Sequence, residues 1–268
     1  MKNIFFTAFI FLMICTNVHS QSYDVLLFRP LTANTFEPRI GAHYNTCDEN
    51  LRLDIGASFD LLNFKYDNSA LAFGTDFFTY TRLRSDNNFK FPVETSDYFF
   101  GLNASFEHEL GDDLIEARFR LAHISSHLVD GYSQNGTFFK EPFVYSREFV
   151  DLYVVYETHF TSWFSIRPYA GLTLVFSTIP DNVNQILPQI GIESEAKLND
   201  NVKFHFALDV KDGENRIGYI AQSGIDFQFN KKFGVRLFYK YYNGNSMHGM
   251  FFDEKDIYNA VGFNVIYF

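Results

Sequence analysis

The chain has 268 residues, of which 19% are aromatic (34 Phe, 16 Tyr, one Trp) and 20% charged, with a net charge of −10, yet its mean hydropathy is close to zero at −0.12. So aromatic a chain can bury a core, which excludes disorder, and two cysteines exclude a disulfide-stapled scaffold. The acidic balance lacks the basic face of a nucleic-acid binder, so no nucleic acid is expected as a partner, and the length fits one large domain or two small ones.

The N-terminus is an address. Met1 to Ser20 reads as a secretory signal peptide. Lys2 supplies the positive start, Ile4 to Cys15 the apolar stretch, and Val18-His19-Ser20 a cleavage site before Gln21. The apolar run is shorter than the roughly 20 residues that span a bilayer as a helix. Residues 21–268 then form the mature chain, with Cys47 as its one cysteine and no long apolar stretch. An exported chain with no spanning helix is either soluble or enters a membrane as a closed β-barrel.

Beyond the leader, period-two alternation runs almost throughout, which is the strand signal. Leu51, Leu53, Ile55, Ala57 and Phe59 alternate with Arg52, Asp54, Gly56, Ser58 and Asp60. Similar runs begin at Val202 and Phe233, and Val261, Phe263, Val265 and Tyr267 close the chain. Strands are expected near 36–46, 50–66, 70–84, 94–110, 113–126, 146–160, 163–177, 187–198, 201–211, 216–229, 233–242 and 256–268. Tight turns at Tyr66-Asp67-Asn68, Leu110-Gly111-Asp112, Phe160-Thr161-Ser162, Leu198-Asn199-Asp200 and Asn230-Lys231-Lys232 alternate with longer loops at 85–93, 127–145, 178–186 and 243–255.

One side of each strand is apolar and the other polar, so the expected fold is all-β, an antiparallel transmembrane β-barrel of twelve strands over residues 21–268. An even count puts both ends on the periplasmic side. The last strand ends Ile266-Tyr267-Phe268, similar to the terminal aromatic signal by which bacterial outer-membrane barrels are recognised. Barrel-assembly machinery is therefore an expected partner through Phe268. The competing fold, a soluble periplasmic β-sandwich, would bury its apolar faces between two sheets; it needs neither such long strands nor the short–long loop rhythm.

The informative segment is Arg120-Leu121-Ala122-His123-Ile124-Ser125-Ser126-His127. Ile115, Ala117, Phe119 and Leu121 are apolar while Glu116, Arg118 and Arg120 are charged, so odd-numbered residues face lipid here. His123 and Ser125 continue that face at the extracellular end, and an ionisable group facing lipid is a functional candidate by default. On the next strand the apolar set is even-numbered, Val150, Leu152, Val154 and Tyr156, which puts Glu148 on the lipid face too. Paired numbers in an antiparallel hairpin sum to a constant. A register joining Ser125 to Ser146 therefore joins His123 to Glu148, although the long loop does not itself set that register. The catalytic candidates are then Ser125 as nucleophile, His123 as general base and Glu148 as the group that orients the imidazole. The plainer reading leaves His123 in interfacial water and has Ser146 and Glu148 merely begin a loop.

These residues carry two resemblances. A His-x-Ser pair facing lipid, with a polar partner on the following strand, resembles outer-membrane phospholipase A, a twelve-stranded family. That family continues with Asn-Gly where this chain has Ser126-His127, and its polar partner is Asn. The lipid A 3-O-deacylase barrels use a similar His-x-Ser with a Glu, which Glu148 suits better. Only this hairpin carries the likeness. The phospholipase resemblance implies calcium at the outer rim as a cofactor, and a dimer. Asp130 lies in the right loop but is one carboxylate, far short of a calcium ligand set. A wider resemblance, to a family of uncharacterised bacterial outer-membrane barrels, covers His123-Ile124-Ser125-Ser126-His127-Leu128, Tyr145-Ser146-Arg147-Glu148 and Tyr242-Asn243-Gly244 through Gly249; it implies no activity.

The expected function is that of a bacterial outer-membrane barrel of an uncharacterised family, for which the hairpin offers one enzymatic reading: a lipid acyl hydrolase, a phospholipase or lipid A deacylase whose partner is outer-membrane lipid. The alternative is a non-enzymatic barrel: a small-solute channel, adhesin or structural component. Inward-facing Arg52, Asp54, Asp60, Asp76, Arg82, Arg84, Arg118, Arg120 and Asp151 are expected as a salt-bridged filling rather than a pore lining. His248 is expected at a flexible loop tip.

Overall fold

A computed structural model describes residues 26–86, 89–181, 183–213, 216–230 and 233–267. The expected leader at 1–20, the Lys231-Lys232 turn and the terminal Phe268 lie outside the described residues.

Twelve antiparallel strands close into a barrel. They are β1 (Ile40–Asn45), β2 (Asn50–Tyr66), β3 (Ser69–Arg84), β4 (Val93–Leu110), β5 (Asp113–Leu128), β8 (Tyr145–Thr161), β9 (Phe164–Ile179), β10 (Ile186–Asn199), β11 (Val202–Asp212), β12 (Ile217–Asn230), β13 (Phe233–Asn245) and β14 (Lys255–Tyr267). The short pair β6 (Ser133–Gln134) and β7 (Thr137–Phe138) forms a separate hairpin inside the β5–β8 loop. Closure is made by β1, whose Ile40 sits opposite both Ile55 of β2 and Val265 of β14. A closed sheet leaves no edge of unpaired amides, the condition for crossing a bilayer with strands.

Side-chain alternation decides which surface meets lipid. Leu102, Phe119, Leu121, Leu152, Val154 and Phe263 project outward and are exposed, while their strand neighbours Asn103, Arg118, Arg120, Asp151 and Asn264 point inward and are buried. Such an apolar exterior would be untenable in water at this extent and is the lipid-facing band of a transmembrane barrel. Tyr66, Phe160, Trp163 and Phe229 ring the short-turn rim, the usual place for an aromatic girdle.

The interior is filled, as expected, with paired charges. Arg120 is fully buried and bonds Asp151 at 2.6 Å, with Asp76 at 3.7 Å. Arg52 pairs with Asp54 at 2.6 Å, and Arg167 bridges Glu116 and Glu193 at 2.7 and 2.9 Å.

Two further segments fill the lumen, and both correct the sequence reading. The strand expected from 36 begins only at Ile40, because residues 26–39 run inside the barrel. Glu37 takes a bidentate bond from Arg118 at 2.6 and 2.8 Å, Arg120 Nη1 donates to the Phe36 carbonyl, and Arg39 donates to the carbonyls of Leu31, Thr32 and Asn34. The second segment is 246–254 between β13 and β14. His248 is no mobile tip: it is 4% exposed and bonds Asp97 through Nδ1 at 2.7 Å. The amides of Gly249 and Met250 donate to Asp97 and Ser126. Met250, Phe251 and Phe252 then pack against the inward-facing Phe78, Phe99, Ile124 and Phe149. The lumen near the long-loop rim is thus apolar where an entirely polar interior was expected.

Candidate functional site

The β5–β8 pair brings the candidate residues together. Its register sets His123 opposite Glu148 and Ser125 opposite Ser146, the pairing assumed from the sequence. All four face outward, near the end of the barrel that carries the long loops. The His123 and Glu148 side chains keep 41% and 32% of their exposure, so they are open to whatever surrounds the barrel.

His123 Nδ1 lies 2.9 Å from Glu148 Oε1. A carboxylate can only accept, so this bond places the imidazole proton on Nδ1. Nε2 is then left with the lone pair that a general base requires. The same Oε1 accepts a bond from Ser146 Oγ at 2.9 Å. Ser125 projects from the same face two residues beyond His123, and among the described residues no hydrogen bond holds its hydroxyl. Nucleophile–base bonds are often long before substrate arrives and tighten in the complex.

A second hydroxyl stands beside Glu148 from β9. Ser177 is the cross-strand neighbour of Glu148 and is exposed beside it on the same face. Sequence reasoning missed it for a definite reason. Along β9, Leu172, Leu174 and Phe176 face out while Thr173 and Val175 are buried, so strict alternation turns Ser177 inward. A bulge between Glu148 and Phe149 shifts the register, pairing Phe149 with Val175 but Glu148 with Ser177. No sequence signal marks such a bulge, which adds one residue to one strand and re-aims the side chains beyond it.

The surroundings suit lipid rather than a soluble substrate. Tyr98 lies opposite Ser125 and Phe100 opposite His123 on β4, both exposed, and Ile179 and Val144 are exposed toward the same rim. A cavity of about 280 Å³, lined by His43, Asn50, Arg52, His248 and Tyr258, is inside the lumen and on the other side of the wall. The donors around the site do not fit calcium, which takes six to eight oxygen ligands. Glu148 is engaged by His123 and Ser146, Asp130 lies in the turn Asp130–Tyr132 of the loop, and among the described residues no three His, Cys, Asp or Glu side chains cluster as metal ligands.

The fold and its outward-facing polar cluster define a class, the outer-membrane type of closed antiparallel barrel, and comparison with solved structures agrees. Outer membrane phospholipase A from Escherichia coli superposes with a TM-score of 0.54 at 14% identity, over 94% of this chain and 96% of that one. The Salmonella typhi outer membrane phospholipase, solved as a dimer with bound calcium, gives 0.52 at 15% identity over 88% and 94%. The NanC porin gives 0.50 at 8% identity over 85% and 98%. At these identities the likeness establishes the fold alone. No curated protein matches the sequence significantly. The chain belongs to the family described as "Protein of unknown function (DUF1207)", whose model matches residues 26–268.

Proposed function

We propose that this protein is a lipid acyl hydrolase of the bacterial outer membrane. The observation that carries the reading is the 2.9 Å His123–Glu148 bond on the lipid-facing surface, with Ser125 on the same face. In this chemistry Ser125 Oγ attacks the acyl carbonyl of a membrane lipid while His123 Nε2 takes its proton. Collapse of the tetrahedral intermediate returns that proton to the departing alcohol and leaves an acyl-serine. Water, deprotonated by the same imidazole, then releases the fatty acid. Glu148 keeps the ring in one tautomer and stabilises the imidazolium.

A site on the outer wall draws its substrate laterally from the bilayer, so it needs no cavity in the protein. The filled lumen speaks against the channel alternative: residues 26–39 and 246–254 occupy it from the two ends. Insertion by barrel-assembly machinery through Phe268 belongs to the same reading.

The test is fatty-acid release by purified protein in detergent, from phospholipid and from lipid A, with and without added calcium. Release that disappears in Ser125→Ala and His123→Ala supports the reading. Release unchanged in both variants overturns it.

A further inference from the structure

The bulge in β9 has a specific consequence for the site. With an unbroken ladder, the constant sum that pairs Phe149 with Val175 would also pair Glu148 with Phe176. A phenyl ring would then lie against the carboxylate on the lipid face. The register shift extrudes Phe176, which is 61% exposed, and delivers Ser177 to the position beside Glu148. A hydroxyl thus replaces a ring next to the one carboxylate of the cluster. Ser146 stands on the other side, its Oγ 2.9 Å from the same Oε1 that His123 engages.

A carboxylate on a lipid-facing surface has little water to orient it. With one partner it could rotate about its terminal torsions and release the imidazole. Two donors, His123 on β5 and Ser146 on its own strand, engage one oxygen, Oε1, and the hydroxyl of Ser177 on β9 stands directly across the ladder from the same residue. Hydrogen bonds to a charged group are the strong ones, and strongest where water is excluded. Bulges are found next to active sites, where they re-aim a side chain.

We propose that Ser177, delivered by the β9 bulge, is a positioning residue for Glu148: it locks the carboxylate so that His123 holds its proton on Nδ1 and presents Nε2 toward Ser125. This rests on the acyl-hydrolase reading for its kinetic consequence, but the geometric claim stands without turnover.

Two single-residue deletions separate the hydroxyl from the bulge. Both restore a continuous ladder. Removing Phe176 leaves Ser177 opposite Glu148, whereas removing Ser177 leaves Phe176 there. The two deletions and Ser177→Ala are compared with Ser177→Thr, which keeps a hydroxyl. Folding of each is checked by far-UV circular dichroism and by heat-modifiable migration in gels. The first readout is ¹⁵N NMR of histidine-labelled protein in detergent, which reports the His123 tautomer. The Nδ1-protonated form should persist in the wild type, in Ser177→Thr and without Phe176, and give way to a mixture in Ser177→Ala and without Ser177. The second readout is fatty-acid release: Ser177→Ala should lower kcat roughly tenfold, the worth of one hydrogen bond to a charged group, with KM unchanged.

If both deletions give the same His123 spectrum, or Ser177→Ala leaves the tautomer unaltered, the positioning role is overturned. A wild type that shows the tautomer pattern but releases no fatty acid overturns the hydrolase reading and leaves the positioning role intact.

Discussion

At the scale of single residues, the site is a contrast between two kinds of charge. The lumen holds arginines and carboxylates in buried pairs such as Arg120–Asp151 and Arg118–Glu37, where each group of the pair is compensated by its partner. His123 and Glu148 instead sit on the lipid face, where polar groups are rare and costly, and they are half-exposed. On the proposed acyl-hydrolase chemistry, nucleophile and base act as a unit and should be lost together: Ser125→Ala and His123→Ala are each expected to lower kcat by about 10³-fold or more, and the double variant by no more than either single one. Glu148→Gln, which still accepts a bond from Nδ1–H but carries no charge, should fall between those variants and the wild type. Initial rates on a phospholipid in mixed micelles measure all four. A fluorophosphonate probe should label the wild type at Ser125 and leave Ser125→Ala unlabelled.

At the scale of elements, the β13–β14 loop matters more than its length suggests. It folds into the barrel mouth and ties β4, β5 and β8 together from inside, directly behind the wall that carries the site. Its anchors are the Asp97 bonds to His248 and Gly249 and the apolar contacts of Met250 and Phe251. Phe251 is 1% exposed, so Phe251→Ala should destabilise the folded barrel by about 3–5 kcal/mol, measured by urea unfolding in detergent. Asp97→Ala leaves two donors without their acceptor and should loosen the loop, seen as faster amide exchange at Gly249 and Met250. The barrel strands themselves should stay protected in that variant, because their ladder does not involve the loop.

At the scale of the whole molecule, the barrel is a solid scaffold rather than a conduit. The N-terminal segment is held by Glu37, whose carboxylate receives Arg118 in a fully buried bidentate pair. Arg118→Ala would leave Glu37 buried without its counter-charge, a loss of about 3–5 kcal/mol, read as a lower unfolding midpoint. The intact protein reconstituted in planar bilayers should pass no steady current, and a large stable conductance in the wild type would contradict the filled lumen. Activity, by contrast, should depend on the lipid surface presented to the outer wall, and should persist when small hydrophilic solutes are excluded from the lumen.

The strand count, nearly every strand boundary and the lipid-facing parity that puts His123, Ser125 and Glu148 on the outer wall were legible in the amino-acid sequence, because a closed transmembrane sheet imposes alternation on each strand; the register that sets His123 opposite Glu148 was only assumed there and is given by the β5–β8 ladder. The alternation rule is local: the solvent on each side of the wall dictates it one residue at a time. Three further things were not legible. The lumen-filling role of residues 26–39 was hidden because a short irregular segment has no period. The inward fold of 246–254 depends on Phe78, Phe99 and Phe149, apolar residues at otherwise polar inward positions, a local signal that says something apolar fills the lumen there but not which loop supplies it. Ser177 was placed by a bulge that breaks parity without any mark in the chain. Local alternation alone therefore specifies a barrel with a polar cluster on its outer wall. The closed lumen and the placing of His123 and Ser177 on either side of Glu148 belong to the assembled fold, because both depend on cross-strand register and on contacts between distant segments, which no local pattern encodes.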